Sequence, residues 1–184
     1  MNKEITRHTL SVLVDNEAGV LSQVSRLFSR KGYNIESLAV GPTDEPDVSR
    51  ITIEIQADDA QCLQIRNQLS KLIPVHSVKE LDASHSIRRE LMLIKVKAES
   101  RDVRNEIIQI ANIFRASIID VATSTLTIAI IGNESKTDAI QNLLTEFGIV
   151  ELARTGMVAL ERGQLTLNDD TKERGEFNLG KNLQ

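Results

Sequence analysis

The stretch His8-Thr9-Leu10-Ser11-Val12-Leu13-Val14-Asp15-Asn16-Glu17-Ala18-Gly19-Val20-Leu21-Ser22, continued by Arg30-Lys31-Gly32-Tyr33-Asn34-Ile35-Glu36-Ser37-Leu38, decides how this chain folds. Thr9 to Val14 reads as a buried strand, and Asn16-Glu17-Ala18-Gly19 as a tight turn. From Val20 onward Leu21, Val24, Leu27 and Phe28 recur at helical spacing, with Ser22, Gln23, Arg26 and Arg30 on the other face. Gly32 stands where a helix ends in a left-handed residue, and Ile35 to Val40 returns as a strand. One helix packed on one sheet is the result.

Working outward, Gly41-Pro42-Thr43-Asp44-Glu45-Pro46 is a turn-rich loop ahead of a long alternating strand, Val48 to Ala57. A second helix is predicted from about Asp59 to Leu72, with Cys62, Ile65, Leu69 and Leu72 as its apolar stripe. Pro74 stops it, and Val75 to Leu81 supplies a last strand. The order β-α-β-β-α-β then repeats. Leu91 to Val96 is a strand, Val103, Ile107, Ile110, Ala111 and Phe114 mark a helix, and Ile118 to Val121 with Leu126 to Ile131 give two strands. Ile140, Leu143, Leu144 and Phe147 mark another helix, and Ile149 to Leu160 contains the final strand. Both halves read as α+β units of ferredoxin-like βαββαβ type, each an antiparallel sheet with two helices on one face. The expected organisation is a first domain over 5–81, a polar linker over 82–89, a second domain over 90–161 and a flexible tail over 162–184, where periodicity gives way to Gly, Asn and charge.

The totals narrow the function. Apolar residues make up 41% of 184, enough for a sizeable core. The 22 basic and 26 acidic residues are spread without a basic cluster, which disfavours nucleic-acid binding by a broad basic face. No apolar run reaches the ~20 residues needed to span a bilayer, and Met1 to Arg7 is short and polar, unlike a signal peptide. A single cysteine, Cys62, excludes an intrachain disulfide and fits a reducing compartment.

Chemistry is harder to find. His8, His76 and His85 lie in separate segments without a shared metal-ligand spacing, so no metal site is expected. There is no Gly-x-Gly-x-x-Gly, Walker-type loop or Gly-x-Ser-x-Gly elbow. Asp58-Asp59 reads as a helix start and Asp169-Asp170 as solvated tail, leaving no carboxylate pair with a reason to be desolvated.

The first turn, by contrast, suits a free amino acid. Unpaired N–H groups at a helix start carry the positive end of its dipole, so amides near Ala18 to Leu21 can receive a carboxylate. Gly19 lets the ligand approach without a Cβ in the way, and Asn16 can offer its carbonyl oxygen to an ammonium. Asp15 or Asn16 can equally serve as a helix cap, and Asn34 as a local turn residue. In the second half the equivalent turn, Ala98-Glu99-Ser100-Arg101-Asp102-Val103, lacks glycine, and Arg115-Ala116-Ser117 replaces Gly-Tyr-Asn. It is not expected to bind in the same way.

Asp15 to Ser22, Arg30 to Leu38 and Pro42-Thr43-Asp44 resemble the regulatory (small) subunit of acetolactate synthase, also called acetohydroxyacid synthase, a family with an N-terminal ACT domain. Ile87 to Val96, Ile113-Phe114-Arg115 and Ile118 to Val121 extend the resemblance into the second half, over about residues 5 to 163. It implies a chain that is not an enzyme by itself. It would activate a separate catalytic (large) subunit and confer feedback inhibition by valine, or leucine or isoleucine, in branched-chain amino-acid biosynthesis. The resemblance places the effector between two ACT domains of a homodimer, with Asn16 and Gly19 from one chain and Asn34 from the other. Glu17, Ala18, Val20, Leu21 and Ile35 would line the pocket. Thiamine diphosphate, Mg and FAD would belong to the catalytic subunit, with no cofactor in this chain. The second half would serve dimerisation and transmission to the catalytic subunit, in the cytoplasm or, for an organelle-encoded product, the plastid stroma. A free-standing amino-acid sensor with another partner and a small ferredoxin-like enzyme are the rival readings.

Overall fold

A computed structural model describes residues 4–167 of the chain. The first half comprises β1 (Thr6–Asp15), α1 (Val20–Lys31), β2 (Ile35–Pro42), β3 (Val48–Ala57), α2 (Asp59–Leu69) and β4 (Val75–Leu81). The second comprises β5 (Ser86–Lys97), α3 (Arg101–Ile113), β6 (Ser117–Val121), β7 (Thr125–Gly132), α4 (Glu134–Thr145) and β8 (Ile149–Arg154), followed by β9 (Val158–Glu161). The first sheet has the order β2-β3-β1-β4 and the second β6-β7-β5-β8, all antiparallel. Element for element the two orders are the same, so the repeat read from the sequence is a repeat of topology. Both are ferredoxin-like α+β units.

The amphipathic stripes explain the packing. α1 buries Val20, Val24 and Phe28, and α2 buries Cys62, Ile65 and Leu69, against Leu10, Val12, Ile51, Ile53 and Ile55 of the sheet. Full burial of one such aliphatic or aromatic side chain stabilises by roughly 1.5–3 kcal/mol. In the second core Ile107, Ala111, Ile140 and Leu144 meet Met92, Ile94, Val96, Ile128 and Ile130. Leu21 and Leu143, expected on the buried stripes, are 43% exposed. α1 stops as expected: Gly32 has φ 70°, and its left-handed turn lets Tyr33 N–H donate to the Phe28 carbonyl. The same position after α3 is held by Arg115, the one non-glycine residue with positive φ among those described.

Four boundaries differ from expectation. α2 ends at Leu69 rather than Leu72, because 71 and 72 close tight turns onto the carbonyls of Gln68 and Leu69. The expected linker is short, since Ser86 to Arg89 are already β5 and pair with Glu161 to Val158. The single final strand is two strands, broken at Gly156 with φ 80°. Finally, residues 162–167, expected to start the tail, pack: Leu167 is buried and its carbonyl accepts the Ser77 hydroxyl at 3.2 Å. The expected tail beyond Leu167 lies outside the described residues.

These last two departures have one consequence. The β5–β9 ribbon and the segment up to Leu167 cover the face of the first sheet opposite its helices, burying Thr9, Ser11, Ser77 and Leu13. Ser37 Oγ accepts the Met157 N–H at 2.9 Å, and Lys79 pairs with Glu161 at 3.0 Å. The two domains are thereby joined by contacts as well as by the short connection.

Candidate functional site

Three helices are closed at their N-termini by their own side chains. Asp58 and Gln61 form a capping box on α2, Ser100 accepts from Val103 N–H on α3, and Asn133 accepts from Lys136 N–H on α4. α1 has no side-chain cap and no acidic residue in its first turn. Its N-cap is Gly19, at φ 89°, and a Cβ built there meets nothing within 4 Å. The unpaired amides and positive dipole end of α1 therefore face open space.

Asn16 is positioned by a different job from capping. Its Nδ2 donates to the Pro46 carbonyl at 2.9 Å, its Oδ1 accepts from Ser49 Oγ at 3.0 Å, and its backbone N–H donates to the Asp47 carbonyl at 2.8 Å. Asn16 thus clamps the β2–β3 loop to the first turn, which leaves one lone pair of Oδ1 and one Nδ2–H for a ligand. Asp15 is likewise engaged, with His76 Nε2 at 2.6 Å from Oδ1. Glu17, Ala18 and Leu21 are exposed, as is Asn34, and Ile35 is half-buried. Val20, expected to line a pocket, is 5% exposed and belongs to the core, and its N–H donates to the Glu17 carbonyl at 3.4 Å.

The structure does not bring Gly19 and Asn34 together within one chain. They flank the two ends of α1, whose 12 residues span about 18 Å at the helical rise. Between them runs the exposed side of α1, and beside it β2 is the edge of its sheet, paired only with β3.

The second domain provides an internal contrast. Its first turn is filled from within: Arg104 Nε donates to the Ala98 carbonyl at 2.9 Å, and Arg104 Nη2 donates to the carbonyls of Ala122 and Thr123. With Ser100 capping α3, no open amide cluster corresponds to that at Gly19.

Two further groups were not legible in the sequence. Arg7, Glu36, Glu54, Glu90, Glu134 and Arg154 converge between the domains. Burial foremost lifts the Glu54 carboxyl above its ordinary range, with Arg7 opposing the rise. His8, Cys62 and Glu80 also meet at the far end of the first sheet, their ligating atoms within 4.8 Å of one another. Sequence spacing gave no sign of either, because each group is assembled from several elements.

A βαββαβ domain with an open, uncapped first turn, in tandem with a second such domain whose turn is closed, defines an ACT-type regulatory chain. Comparison with known proteins agrees. A family model described as an AHAS small subunit-like ACT domain matches residues 10–77, and one described as the small subunit of acetolactate synthase matches residues 89–163. The acetolactate synthase small subunit of Mycobacterium bovis is 51% identical over 156 residues, 85% of this chain and 92% of that protein. The probable acetolactate synthase small subunit of Methanothermobacter thermautotrophicus is 46% identical over 160 residues, 87% of this chain and 95% of the relative. A crystal structure of the acetolactate synthase small subunit from Thermotoga maritima superposes with a TM-score of 0.81 at 40% identity, over 88% of this chain and 100% of that one. The chain belongs to the acetolactate synthase small-subunit family. No described helix is long and apolar enough to cross a membrane.

Proposed function

We propose that a dimer of this chain binds valine, or leucine or isoleucine, at two symmetry-related sites, and through them controls a separate catalytic subunit of acetolactate synthase. The observation that carries this reading is the open N-terminus of α1 at Gly19, set about 18 Å from Asn34 in the same chain. Two-fold pairing of the free β2 edges would run two α1 helices antiparallel, so that the first turn of one copy faces Asn34 of the other. The effector carboxylate would rest on amides near Ala18 to Leu21. Asn34 of the second copy and the remaining lone pair of Asn16 would take the ammonium, with Leu21 and Ile35 against the aliphatic side chain.

Regulation is then a matter of linkage. The dimer stabilises the active arrangement of the catalytic subunit, and the effector binds a less active arrangement more tightly, by about 1–3 kcal/mol of coupling. A micromolar dissociation constant needs about −8 kcal/mol, or roughly −1 kcal/mol per heavy atom of valine, within the ceiling for small ligands. The helix-free face of the second domain exposes Leu93, Ile119 and Ile131, apolar surface of the kind a partner subunit covers. Thiamine diphosphate, Mg and FAD are assigned to that partner, and the assembly to the cytoplasm or plastid stroma.

Calorimetric titration with valine, leucine, isoleucine and serine tests the site, alone and after reconstitution with the catalytic subunit. Gly19→Asp and Gly19→Ala both strain the positive-φ turn, and only Asp adds a carboxylate where the ligand's would lie. Saturable valine binding that weakens in Gly19→Ala and vanishes in Gly19→Asp is expected, with activation retained. Normal inhibition of the Gly19→Asp holoenzyme would place the effector elsewhere.

A further inference from the structure

We infer that His8, Cys62 and Glu80 form a binding site for a divalent cation of the zinc class, at the end of the first sheet remote from the amino-acid turn. The three side chains come from β1, α2 and β4 and offer one nitrogen, one sulfur and one carboxylate oxygen within 4.8 Å of each other. His8 and Cys62 are 7% and 1% exposed, whereas the Glu80 side chain is 34% exposed. An ion would enter from the Glu80 side and retain water there.

The surroundings favour ligation in detail. His8 Nε2 lies 3.1 Å from the Ala57 carbonyl, which can only accept, and the same distance from Thr6 Oγ1. With Nε2–H donating to that carbonyl, Nδ1 is the ring nitrogen left facing Glu80 Oε1, 2.6 Å away, a separation that needs a shared proton until a cation takes its place. A ring nitrogen fixed by a backbone carbonyl, with the other nitrogen facing the ligand set, is the usual outer support of a metal-bound histidine. Arg66 Nη1 stands 3.7 Å from the other Glu80 oxygen, and Asp59 Oδ1 stands 4.0 Å from His8 Nε2.

Charge and softness select the ion. A thiolate, a carboxylate and a neutral imidazole carry two negative charges; Arg66 stands 3.7 Å from the part-exposed Glu80, and a divalent cation would offset the buried thiolate as well. Sulfur and nitrogen together with one oxygen suit zinc or cobalt and not magnesium or calcium. Three protein ligands and an open position are a common zinc arrangement. Binding would displace the thiol proton and the proton between Nδ1 and Glu80 into solvent. The ion would staple α2 to β1 and β4, and so stabilise the domain by mass action.

The test is titration of the full-length chain, freed of metal with a chelator and kept reduced, with cobalt and then zinc. Expected are one equivalent of cobalt with near-ultraviolet thiolate-to-cobalt absorption, its displacement by zinc, and a melting temperature that rises with zinc concentration. Cys62→Ser should abolish the absorption, and Glu80→Gln, at a part-exposed position, should weaken binding at least about tenfold. Circular dichroism of each variant reports folding independently. Absence of the absorption in the folded parent chain would overturn the inference. So would zinc binding equally tight in folded Cys62→Ser and Glu80→Gln, which would mark chance binding at surface carboxylates.

Discussion

Arg7, near the start of β1, spans the two domains: one Nη lies 2.8 Å from Glu36 of β2, and the other pairs with Glu134 in the first turn of α4. The Glu134 hydrogen bond foremost raises the Arg7 pKa. Glu134 also sits at the positive end of the α4 dipole, so the bridge ties a strand of the first domain to a helix of the second. Such a contact is suited to carrying a signal across the molecule.

Arg7→Ala should therefore separate binding from response. Arg7 is 33% exposed on its side chain, so the stability lost should stay near 1 kcal/mol or below. Valine affinity measured calorimetrically should persist, while valine inhibition of the reconstituted holoenzyme weakens. Equal inhibition of variant and parent would remove Arg7 from the coupling route.

Arg154 holds a more buried partner. Glu90 is 5% exposed and accepts from Arg154 Nη1 at 3.0 Å and from the Thr137 hydroxyl. Arg154→Met would leave a buried carboxylate short of its cation, and a loss of about 3–5 kcal/mol in urea unfolding is expected. The double change with Glu90→Gln should recover a large part of that loss, because the unpaired charge is then gone.

Asn16→Ala removes two hydrogen bonds that fasten the β2–β3 loop to the first turn. A stability loss of about 1–2 kcal/mol is expected from thermal unfolding. Valine binding should weaken as well, since the loop and turn no longer hold a common geometry. Unchanged affinity with lowered stability would show that the clamp serves the fold alone.

Glu54 sets a pH dependence whose sign follows from its raised pKa. A carboxyl with a folded-state pKa above its unfolded one favours folding below the ordinary carboxylate range, and loses that contribution as pH rises through the folded value. Glu54→Gln should therefore melt higher than the parent at neutral pH, with the gap closing as the pH falls into the carboxylate range. A gap independent of pH would show that Glu54 is not the titrating group.

Much of the fold is legible in the sequence because it rests on local period. Val48–Ala57 and Val75–Leu81 lie where alternation placed them, and α1 starts at Val20 and ends before Gly32. What escaped depends on distant partners. Gly156 passes so close over β2 that a Cβ would stand 2.9 Å from Ser37 Oγ, and nothing near Gly156 in sequence reveals that crossing. The strand break there, the β5–β9 pairing and the docking of Leu167 all follow from such contacts. The open first turn was readable from its glycine, where α1 has no side-chain cap. The clamp role of Asn16 and the inward turn of Val20 were not, since one needs the β2–β3 loop in place and the other the helix phase.

The most direct test of a pocket shared between copies is complementation between two defective chains. Gly19→Asp and Asn34→Ala are each expected to lose valine binding when alone. In a mixed dimer one pocket carries both changes, while the other joins an unaltered Gly19 turn to an unaltered Asn34. Mixing the two variants under exchange and titrating with valine should restore binding at about half the parent's sites within each mixed dimer. No recovery, with subunit exchange verified by mass, would contradict a pocket built from two chains.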